Sequence, residues 1–249
     1  MSCLNFWAEA QTAVTDGVSH ELAIKRQSQV ANVLYTLHFE IPFQKEVPVT
    51  GTAKITFDWK GGKEDLQIDF QGKVNGPVVV NGKSIVAAHQ AEHVIIPAKK
   101  LSGKKPNEVR ITFRSEDNAL NRNADYMYTL FVPDHARSAF PCFDQPDIKA
   151  RYRLSLTLPQ GWTAISNSPL FSTDGQTLQF GLSDLLPTYL FSFTAGRFET
   201  QTSERDGRML TALYRETDPR KVAQLGTVFD QVALSLRWME EFTGIPQPF

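Results

Sequence analysis

Residues 32–43 read NVLYTLHFEIPF, and an apolar side chain stands at every second position of this stretch. The apolar positions are Val33, Tyr35, Leu37, Phe39 and Ile41. Side chains of a β-strand point alternately to its two faces, so this spacing places all five on the same face. The stretch therefore predicts a strand with one buried face and one solvated face.

The same period of two recurs in five further segments of the chain. Their apolar positions are Ile55, Phe57 and Trp59; Leu66, Ile68 and Phe70; Val109, Ile111 and Phe113; Tyr152, Leu154, Leu156 and Leu158; and Leu178, Phe180 and Leu182. The turn signals that separate such segments are Gly61-Gly62, Asn81-Gly82, Asp174-Gly175 and Asp206-Gly207. Short half-buried strands joined by tight turns are typical of an antiparallel sheet. We predict a mainly β protein, with one large antiparallel β domain over residues 1–216 and a short helix near residues 19–27.

The hydrophobic period changes near the C-terminal end of the chain. Asp218 is a favourable helix N-cap, and Pro219 occupies the favoured first helical position. Apolar residues follow at spacings of three and four, namely Val222, Leu225, Phe229, Val232, Leu236 and Met239. We predict one long amphipathic helix that begins at Pro219 and ends just before Gly244. We assign residues 217–249 to the start of a second domain, which would cover the apolar stripe, so the chain resembles the front of a longer protein.

The composition is that of a soluble globular protein without an excess of charge. The 249 residues include 26 Lys and Arg and 27 Asp and Glu, which gives a formal net charge of −1. This balance offers no electrostatic reason to expect a nucleic acid or an anionic membrane as partner. No apolar run approaches the roughly 20 residues that span a bilayer, and the start of the chain lacks signal-peptide features. We expect a soluble protein, either cytoplasmic or exported after removal of a signal.

The two cysteines, Cys3 and Cys142, do not form a Cys-x-x-Cys pair. We do not expect a disulfide, because Cys3 lies next to a terminus. Cys142 is interpreted as a small buried side chain.

Residues 89–93 read HQAEH, which matches the H-x-x-E-H arrangement that binds zinc on a helix. The flanking residues oppose a helix, because VVVNGKSIV before the motif predicts a hairpin and VIIP after it is β-branched and ends in Pro97. Residues four apart do not converge in a strand or a loop as they do on a helix. We predict that His89 lies in a loop, that His93 begins a strand and that the two bind no metal. A small stand-alone metalloenzyme built on this motif is the alternative.

Residues 128–169 read YTLFVPDHARSAFPCFDQPDIKARYRLSLTLPQGWTAISNSP and contain a proline-rich loop between two strands. Pro133, Pro141 and Pro146 pre-set φ and lower the entropy that an irregular connection loses when it becomes ordered. A rigid loop on a sheet scaffold is a common place for function.

This stretch resembles the signature of the amino-terminal domain of the aminopeptidase N family, the zinc aminopeptidases that include leukotriene A4 hydrolase. Members read approximately A-R-R-x-F-P-C-W-D-E-P-x-x-K-A, followed by a strand and W-x-A-x-S-N-x-P. The matching residues are Ala136, Arg137, Phe140, Pro141, Cys142, Asp144, Pro146, Lys149, Ala150, Trp162, Ala164, Ser166, Asn167 and Pro169. FSFTAGRFE, from Phe191, also resembles a strand near the end of that domain, and the resemblance runs from about residue 17 to the end.

The resemblance implies a saddle-shaped, mostly antiparallel β domain that packs against a thermolysin-like catalytic domain. It implies structural roles for Arg137, Phe140, Pro141, Asp144, Pro146 and Lys149. The family's catalytic motifs, G-x-M-E-N and H-E-x-x-H with a distant glutamate ligand, do not occur in these 249 residues. We therefore expect no catalytic residue and no bound cofactor in this chain, and zinc in the full-length protein. The expected partners are the missing catalytic domain and a peptide substrate.

One departure from the family concerns the loop before the signature. In many members this loop reads T-Q-x-E, and its glutamine and glutamate hold the amino terminus of the substrate. Here Thr129 is followed by Leu130, Phe131 and Val132, so both polar anchors are replaced by apolar side chains. If the full protein is an aminopeptidase, the partner of the substrate ammonium must come mostly from the catalytic domain. Alternatively, within a substrate-cleft loop of Leu130, Phe131 and Val132, Leu130 and Val132 line an apolar pocket for the first side chain of the substrate, or this member has altered or lost activity.

Two functions follow from the resemblance. The first is the non-catalytic β domain of a zinc-dependent aminopeptidase, which removes amino-terminal residues from peptides. The alternative is a catalytically silent scaffold, or a peptide- or protein-binding module of the same fold.

Overall fold

A computed structural model of the chain describes residues 14–247, and this part of the protein is mainly β. Its α-helices are α1 (His20–Gln29), α2 (Ala136–Ala139), α3 (Pro219–Val222) and α4 (Leu225–Thr243). Its strands are β1 (Val30–Glu40), β2 (Thr50–Trp59), β3 (Leu66–Asp69), β4 (Lys73–Val74), β5 (Val78–Val80), β6 (Lys83–Ile85), β7 (Ala88–Gln90), β8 (His93–Ile96), β9 (Asn107–Arg114), β10 (Leu120–Arg122), β11 (Tyr126–Thr129), β12 (Ala150–Thr157), β13 (Thr163–Ser166), β14 (Leu170–Asp174), β15 (Thr177–Leu182), β16 (Phe193–Gly196), β17 (Glu199–Arg205) and β18 (Arg208–Tyr214). The predicted fold class, mainly β with a long C-terminal helix, is confirmed.

The largest sheet has nine strands in the order β14-β15-β12-β1-β2-β9-β5-β6, with β4 also paired to β9. Its neighbouring strands run antiparallel except β1 and β12, which run parallel from the pair Val33–Ala150 to the pair Glu40–Thr157. This pair is the exception to the mostly antiparallel arrangement that is expected from the sequence. Parallel neighbours need a long crossover connection, which the chain between these two strands supplies.

Smaller sheets accompany the large one, with the orders β10-β11-β16-β13, β3-β8-β7 and β17-β18. A single bridge between Asp69 and Cys142 joins β3 to the segment between β11 and β12. One contiguous apolar core contains residues of the large sheet, of β3 and β8, and of that segment. Cys142 is buried, and Cys3 lies outside the described residues.

The side chains that the alternating pattern assigns to the core are buried, with one exception. Leu182 is 46% exposed, so its predicted burial is wrong. The cause is a bulge in β15, because Leu182 pairs with Arg153 whereas Gln179 pairs with Ser155, which leaves one residue too many on β15. A bulge shifts the alternation by one residue, so the next side chain points to the other face.

The predicted helices are present, and one of them differs in continuity. Ser19 caps α1 by accepting a hydrogen bond from the backbone N–H of Leu22 at 3.1 Å. Asp218 caps α3 in a similar way, and Gly244 ends α4 with a left-handed φ of 67°. The predicted single helix breaks between α3 and α4, where the amide of Gln224 bonds to the carbonyl three residues back. Within the described part of the chain, no helix has both the length and the apolar character needed to cross a bilayer.

Helix α4 packs on the β17-β18 hairpin. Phe229 and Ala233 are its buried residues. Ion pairs join the two elements between Arg205 and Asp230 at 2.6 Å, Arg208 and Glu240 at 2.6 Å, and Asp206 and Arg237 at 2.7 Å. The predicted stripe is only partly covered, since Val232 and Met239 stay 41% and 49% exposed. The domain boundary between residues 216 and 217 stays a prediction.

Candidate functional site

The signature segment, defined here as residues 128–150, begins with the last two residues of β11, contains α2 and folds into the core. Phe140 lies at its centre and is fully buried. Its ring is edge-on to the rings of Tyr35, Phe39, Phe131 and Phe191, at centroid distances of 5.9, 6.2, 5.7 and 5.8 Å. Pro141 is also buried, whereas Pro146 and Lys149 are exposed. Phe140 and Pro141 are thus packed in the core, and the structural roles that the resemblance implies for the signature residues stay a prediction.

A buried carboxylate, Asp69 at the end of β3, connects three elements. Its Oδ1 atom accepts a hydrogen bond from Arg26 Nη1 of α1 at 2.6 Å, and its Oδ2 atom accepts from the backbone N–H of Asp144 at 2.7 Å. His93 Nδ1 lies 2.8 Å from Oδ1, without an aligned hydrogen bond. Burial alone would raise the pKa of Asp69, but the Arg26 charge and the His93 ring outweigh burial and hold the pKa below its ordinary value.

Asp144 of the signature segment is held by a second set of contacts. Its Oδ1 atom accepts from Thr188 Oγ1 at 2.6 Å, and its Oδ2 atom accepts from the backbone N–H of Arg137 at 3.0 Å. Burial raises the pKa of the Asp144 carboxyl, although these hydrogen bonds oppose the rise. The Arg137 guanidinium pairs with Asp134 at 2.9 Å and with Glu92 at 3.2 Å. Arg137 and Asp144 therefore fix the loop to the β7-β8 hairpin and to the core.

The lowered pKa of Asp69 makes a prediction about acid stability. As the pH falls, the Asp69 carboxylate is protonated in the unfolded chain before it is protonated in the folded chain. The stabilisation that the carboxylate provides is therefore complete above about pH 4, and it is lost as the pH falls through the pKa of the folded state. In urea unfolding, Asp69→Asn should therefore show a weaker loss of stability below about pH 4 than the parent chain. Asp174→Asn, at an exposed turn, should keep the parental dependence. An Asp69→Asn variant with the parental dependence would contradict the assignment.

The HQAEH stretch forms a hairpin and not a helix. Ala91 and Glu92 turn the chain with φ values of 48° and 62°, between β7 and β8. Gln90 pairs with His93, so His89 and His93 lie on opposite faces of the hairpin. The prediction that His89 lies in a loop is wrong because this residue belongs to β7, whereas His93 begins β8 as predicted.

The two imidazoles contact different parts of the chain. His89 Nε2 lies 2.8 Å from the carbonyl oxygen of Phe70, and His93 Nε2 lies 3.1 and 3.0 Å from those of Thr15 and Gly17. In the part of the chain that the structure describes, no group of three or more His, Cys, Asp or Glu side chains is arranged to hold a metal ion. That His89 and His93 bind no metal stays a prediction.

The three residues that replace the family's T-Q-x-E anchors differ in exposure. Leu130 and Val132 are 54% and 50% exposed, whereas Phe131 is 2% exposed and belongs to the aromatic core. Phe131 therefore presents almost no surface to solvent, and the assignment of the three residues to a substrate-cleft loop stays a prediction. Tyr128 and Ile165 are also exposed, and both pair with the same strand residue, so they share one sheet face. We define the apolar strip as Tyr128, Leu130, Val132 and Ile165.

The buried partners of the signature segment were not found from the sequence. Arg26 and Asp69 are 1% and 0% exposed, and Gln145 binds Arg26 Nε at 2.7 Å. Alternation in β3 places Asp69 on the face opposite Ile68, which in an exposed sheet would be solvated. The signature segment covers that face, and no local pattern of the sequence indicates it.

The chain matches the sequence profile of the Peptidase M1 N-terminal domain over residues 31–190. The chain belongs to this family. This M1 N-terminal domain is 25% identical over 210 residues to "Aminopeptidase N" of Streptomyces lividans, covering 78% of the chain and 24% of the relative. It is 30% identical over 253 residues to "Endoplasmic reticulum aminopeptidase 1" of Rattus norvegicus, covering 100% of the chain and 25% of the relative. The chain thus spans about a quarter of the length of these two aminopeptidases.

Solved structures share the fold of this M1 N-terminal domain. An M1 zinc metallopeptidase from Deinococcus radiodurans superposes with a TM-score of 0.66 at 19% identity, over 77% of this chain and 49% of that chain. Native yeast LTA4 hydrolase superposes with a TM-score of 0.61 at 19% identity, over 70% of this chain and 30% of that chain. At this level of identity, the structural similarity shows a shared fold.

Proposed function

We propose that this chain is the non-catalytic amino-terminal β domain of a zinc-dependent aminopeptidase that removes amino-terminal residues from peptides. In the whole protein the domain shapes the substrate cleft and packs on a catalytic domain. The observation that carries the proposal is the family match over residues 31–190, together with relatives that are named aminopeptidases. The near-zero net charge gives no electrostatic reason to expect a nucleic acid or an anionic membrane as partner.

The residues of the described part do not fit a zinc site. Zinc needs three or four ligands that converge on one point. His89 and His93 lie on opposite hairpin faces, and Asp69 is already engaged by Arg26. The zinc of the proposed aminopeptidase would therefore be held by other residues of the whole protein.

The apolar strip suits the side chain of a substrate better than its ammonium group. An ammonium that leaves water needs an acceptor or an anion, and Leu130 and Val132 offer neither on their side chains. Both are half exposed at the end of β11 and can contact an apolar group. We assign the strip to the first side chain of the peptide, and the ammonium to the catalytic domain.

The exposed face of α4 supports packing on a further domain. The rings of Trp238 and Phe242 stack at a centroid distance of 5.1 Å, yet they are 57% and 74% exposed. With Val232 and Met239 they form an apolar surface on the helix. Contiguous exposed apolar surface of this kind marks an interaction site.

Leu130→Ala tests the assignment of the strip in the full-length protein. Removing a half-exposed leucine side chain should raise KM for aminoacyl anilides with an apolar first residue by about fivefold, with kcat little changed, because the lost contact exists before and during reaction. Leu185→Ala, an equally exposed leucine outside the strip, is the matched control. Steady-state kinetics with a leucyl anilide and a lysyl anilide would show whether the rise in KM is confined to an apolar first residue. Equal kinetics for Leu130→Ala and Leu185→Ala would show that the apolar strip does not line the substrate cleft.

A scaffold or binding module of the same fold is the second candidate. The observation that favours it is the absence of polar side chains at Leu130 and Val132, where many family members anchor the substrate. The test is hydrolysis of a peptide by the full-length protein. Binding of a peptide without release of its first residue, at any pH where the protein is folded, would favour the module over the enzyme.

A further inference from the structure

A shallow groove of about 520 Å³ lies on the outer face of the large sheet, lined by residues of β1, β12, β14 and β15. Two adjacent bulges shape it. One is the bulge of β15 opposite Ser155, and the other is in β14, where Leu170 pairs with Phe180 but Ser172 pairs with Gln179. Bulges re-aim side chains and are over-represented next to functional sites.

The bulges place two apolar side chains on the surface at this groove. Leu182, which the alternating pattern assigns to the core, is 46% exposed, and Phe171 is 81% exposed. Both residues line the groove. An aromatic ring and a leucine side chain that flank an open groove provide contact area for an apolar group of a ligand.

Arg153 lies between these apolar residues and the strand β1, since it pairs with Leu182 on one side and with Thr36 on the other. The carboxylate of Asp184, two residues after Leu182 in the chain, pairs with Arg151 at 3.5 Å. Within the described chain the guanidinium of Arg153 forms no ion pair. A free guanidinium can bind a carboxylate through two parallel N–H···O bonds.

The remaining lining determines which carboxylate fits. Thr36, Thr177 and Gln179 supply hydroxyl and amide groups that bind neutral N–H and C=O groups. No aspartate or glutamate is among the described residues that line the groove, so a ligand ammonium would have no anionic partner. A free amino acid therefore fits less well than a residue whose nitrogen is an amide.

We propose that this groove binds the carboxyl-terminal residue of a peptide with an apolar side chain. Arg153 holds the terminal carboxylate, Phe171 and Leu182 contact the side chain, and Gln179 binds the last peptide group. The proposal is independent of the proposed aminopeptidase activity, because the groove and the apolar strip are lined by different residues.

Three probes test the proposal on the 249-residue chain by NMR titration of backbone amides. N-acetyl-L-phenylalanine mimics the terminal residue of a peptide, its carboxamide removes the negative charge, and free phenylalanine adds an ammonium. The first probe should shift the amides of Ser155, Gln179 and Gly181, with a dissociation constant on the order of 1 mM, which is the range expected for a ligand of this size. The carboxamide should bind at least about tenfold more weakly, since a charge-assisted hydrogen bond is lost, and free phenylalanine should also bind more weakly.

Variants at exposed positions complete the test without threatening the fold. Arg153→Gln should weaken binding of N-acetyl-L-phenylalanine by about tenfold or more, and Phe171→Ser should weaken it by a smaller factor. Arg110→Gln, an exposed arginine of the same sheet, should bind the probe as the parent chain does. Equal binding of the acid and the carboxamide, an unchanged Arg153→Gln variant, or groove amides that do not shift at about 10 mM probe would each overturn the proposal.

Discussion

Replacing Arg26 with methionine is expected to lower the free energy of unfolding by about 3–5 kcal/mol, because it leaves the buried Asp69 carboxylate without its main counter-charge. Arg26 Nη1 lies 2.6 Å from Asp69 Oδ1, and both side chains are at most 1% exposed. Methionine keeps much of the volume of the side chain, so the expected loss is electrostatic and not a cavity. Urea unfolding at neutral pH, followed by circular dichroism, measures the difference.

An exposed ion pair of the same residue types serves as the control. Arg151 lies 3.5 Å from Asp184, with side chains 43% and 49% exposed, and Arg151→Met should change stability by less than about 1 kcal/mol. Adding Asp69→Asn to Arg26→Met should recover part of the loss, because it removes the uncompensated charge. An Arg26→Met variant as stable as Arg151→Met would show that the network does not hold the signature segment in place.

Replacing Phe140 with alanine is expected to cost about 3–5 kcal/mol, because the change opens a cavity among four aromatic rings. The ring is fully buried, and it makes edge-on contacts with rings from β1, from the residues just after β11 and from the segment before β16. The neighbouring backbone is fixed by hydrogen bonds, such as that from the Phe143 amide to Tyr35 Oη at 2.9 Å, so the surroundings cannot collapse freely.

Phe171→Ala is the matched control for the loss of a phenylalanine ring. Its ring is 81% exposed, so we expect a change within about 0.5 kcal/mol. Thermal and urea unfolding of the two variants should differ by several kcal/mol. Similar stabilities would mean that Phe140 is not the centre of a packed cluster.

Period-two alternation was sufficient to predict most of the buried faces, because one side of each strand in the large sheet packs on the core. It failed at Leu182, where a bulge in β15 reverses the faces, and a bulge leaves no clear mark in the residue types. It was also unable to indicate that β1 and β12 run parallel. Strand direction depends on the path of the connection and not on local sequence.

At the candidate site, one signal was present in the sequence and was not used. The stretch from Tyr126 to Val132 alternates in burial, with Phe131 on the buried side between the exposed Leu130 and Val132. Applying period two to this stretch separates Phe131 from its neighbours, whereas the resemblance to the T-Q-x-E loop grouped the three together.

The polar network could not be predicted. Arg26 and Asp69 are 43 residues apart in the chain, and they meet only because the signature segment covers β3 and α1 packs beside it. The turn at Ala91 and Glu92 could not be predicted either, because long-range contacts also hold it. Its left-handed backbone is unfavourable for both residue types, and long-range contacts of Glu92 with Gln71 and Arg137 hold it in place.

We propose that this chain supplies the cleft and not the chemistry of a zinc aminopeptidase. Zinc content and hydrolysis of a leucyl anilide, measured side by side for the 249-residue chain and for the full-length protein, test it most directly. We expect about one zinc per chain and hydrolysis in the full-length protein only, with neither in the 249-residue chain. Stoichiometric zinc with hydrolysis in the 249-residue chain, or a full-length protein that has neither, would contradict it.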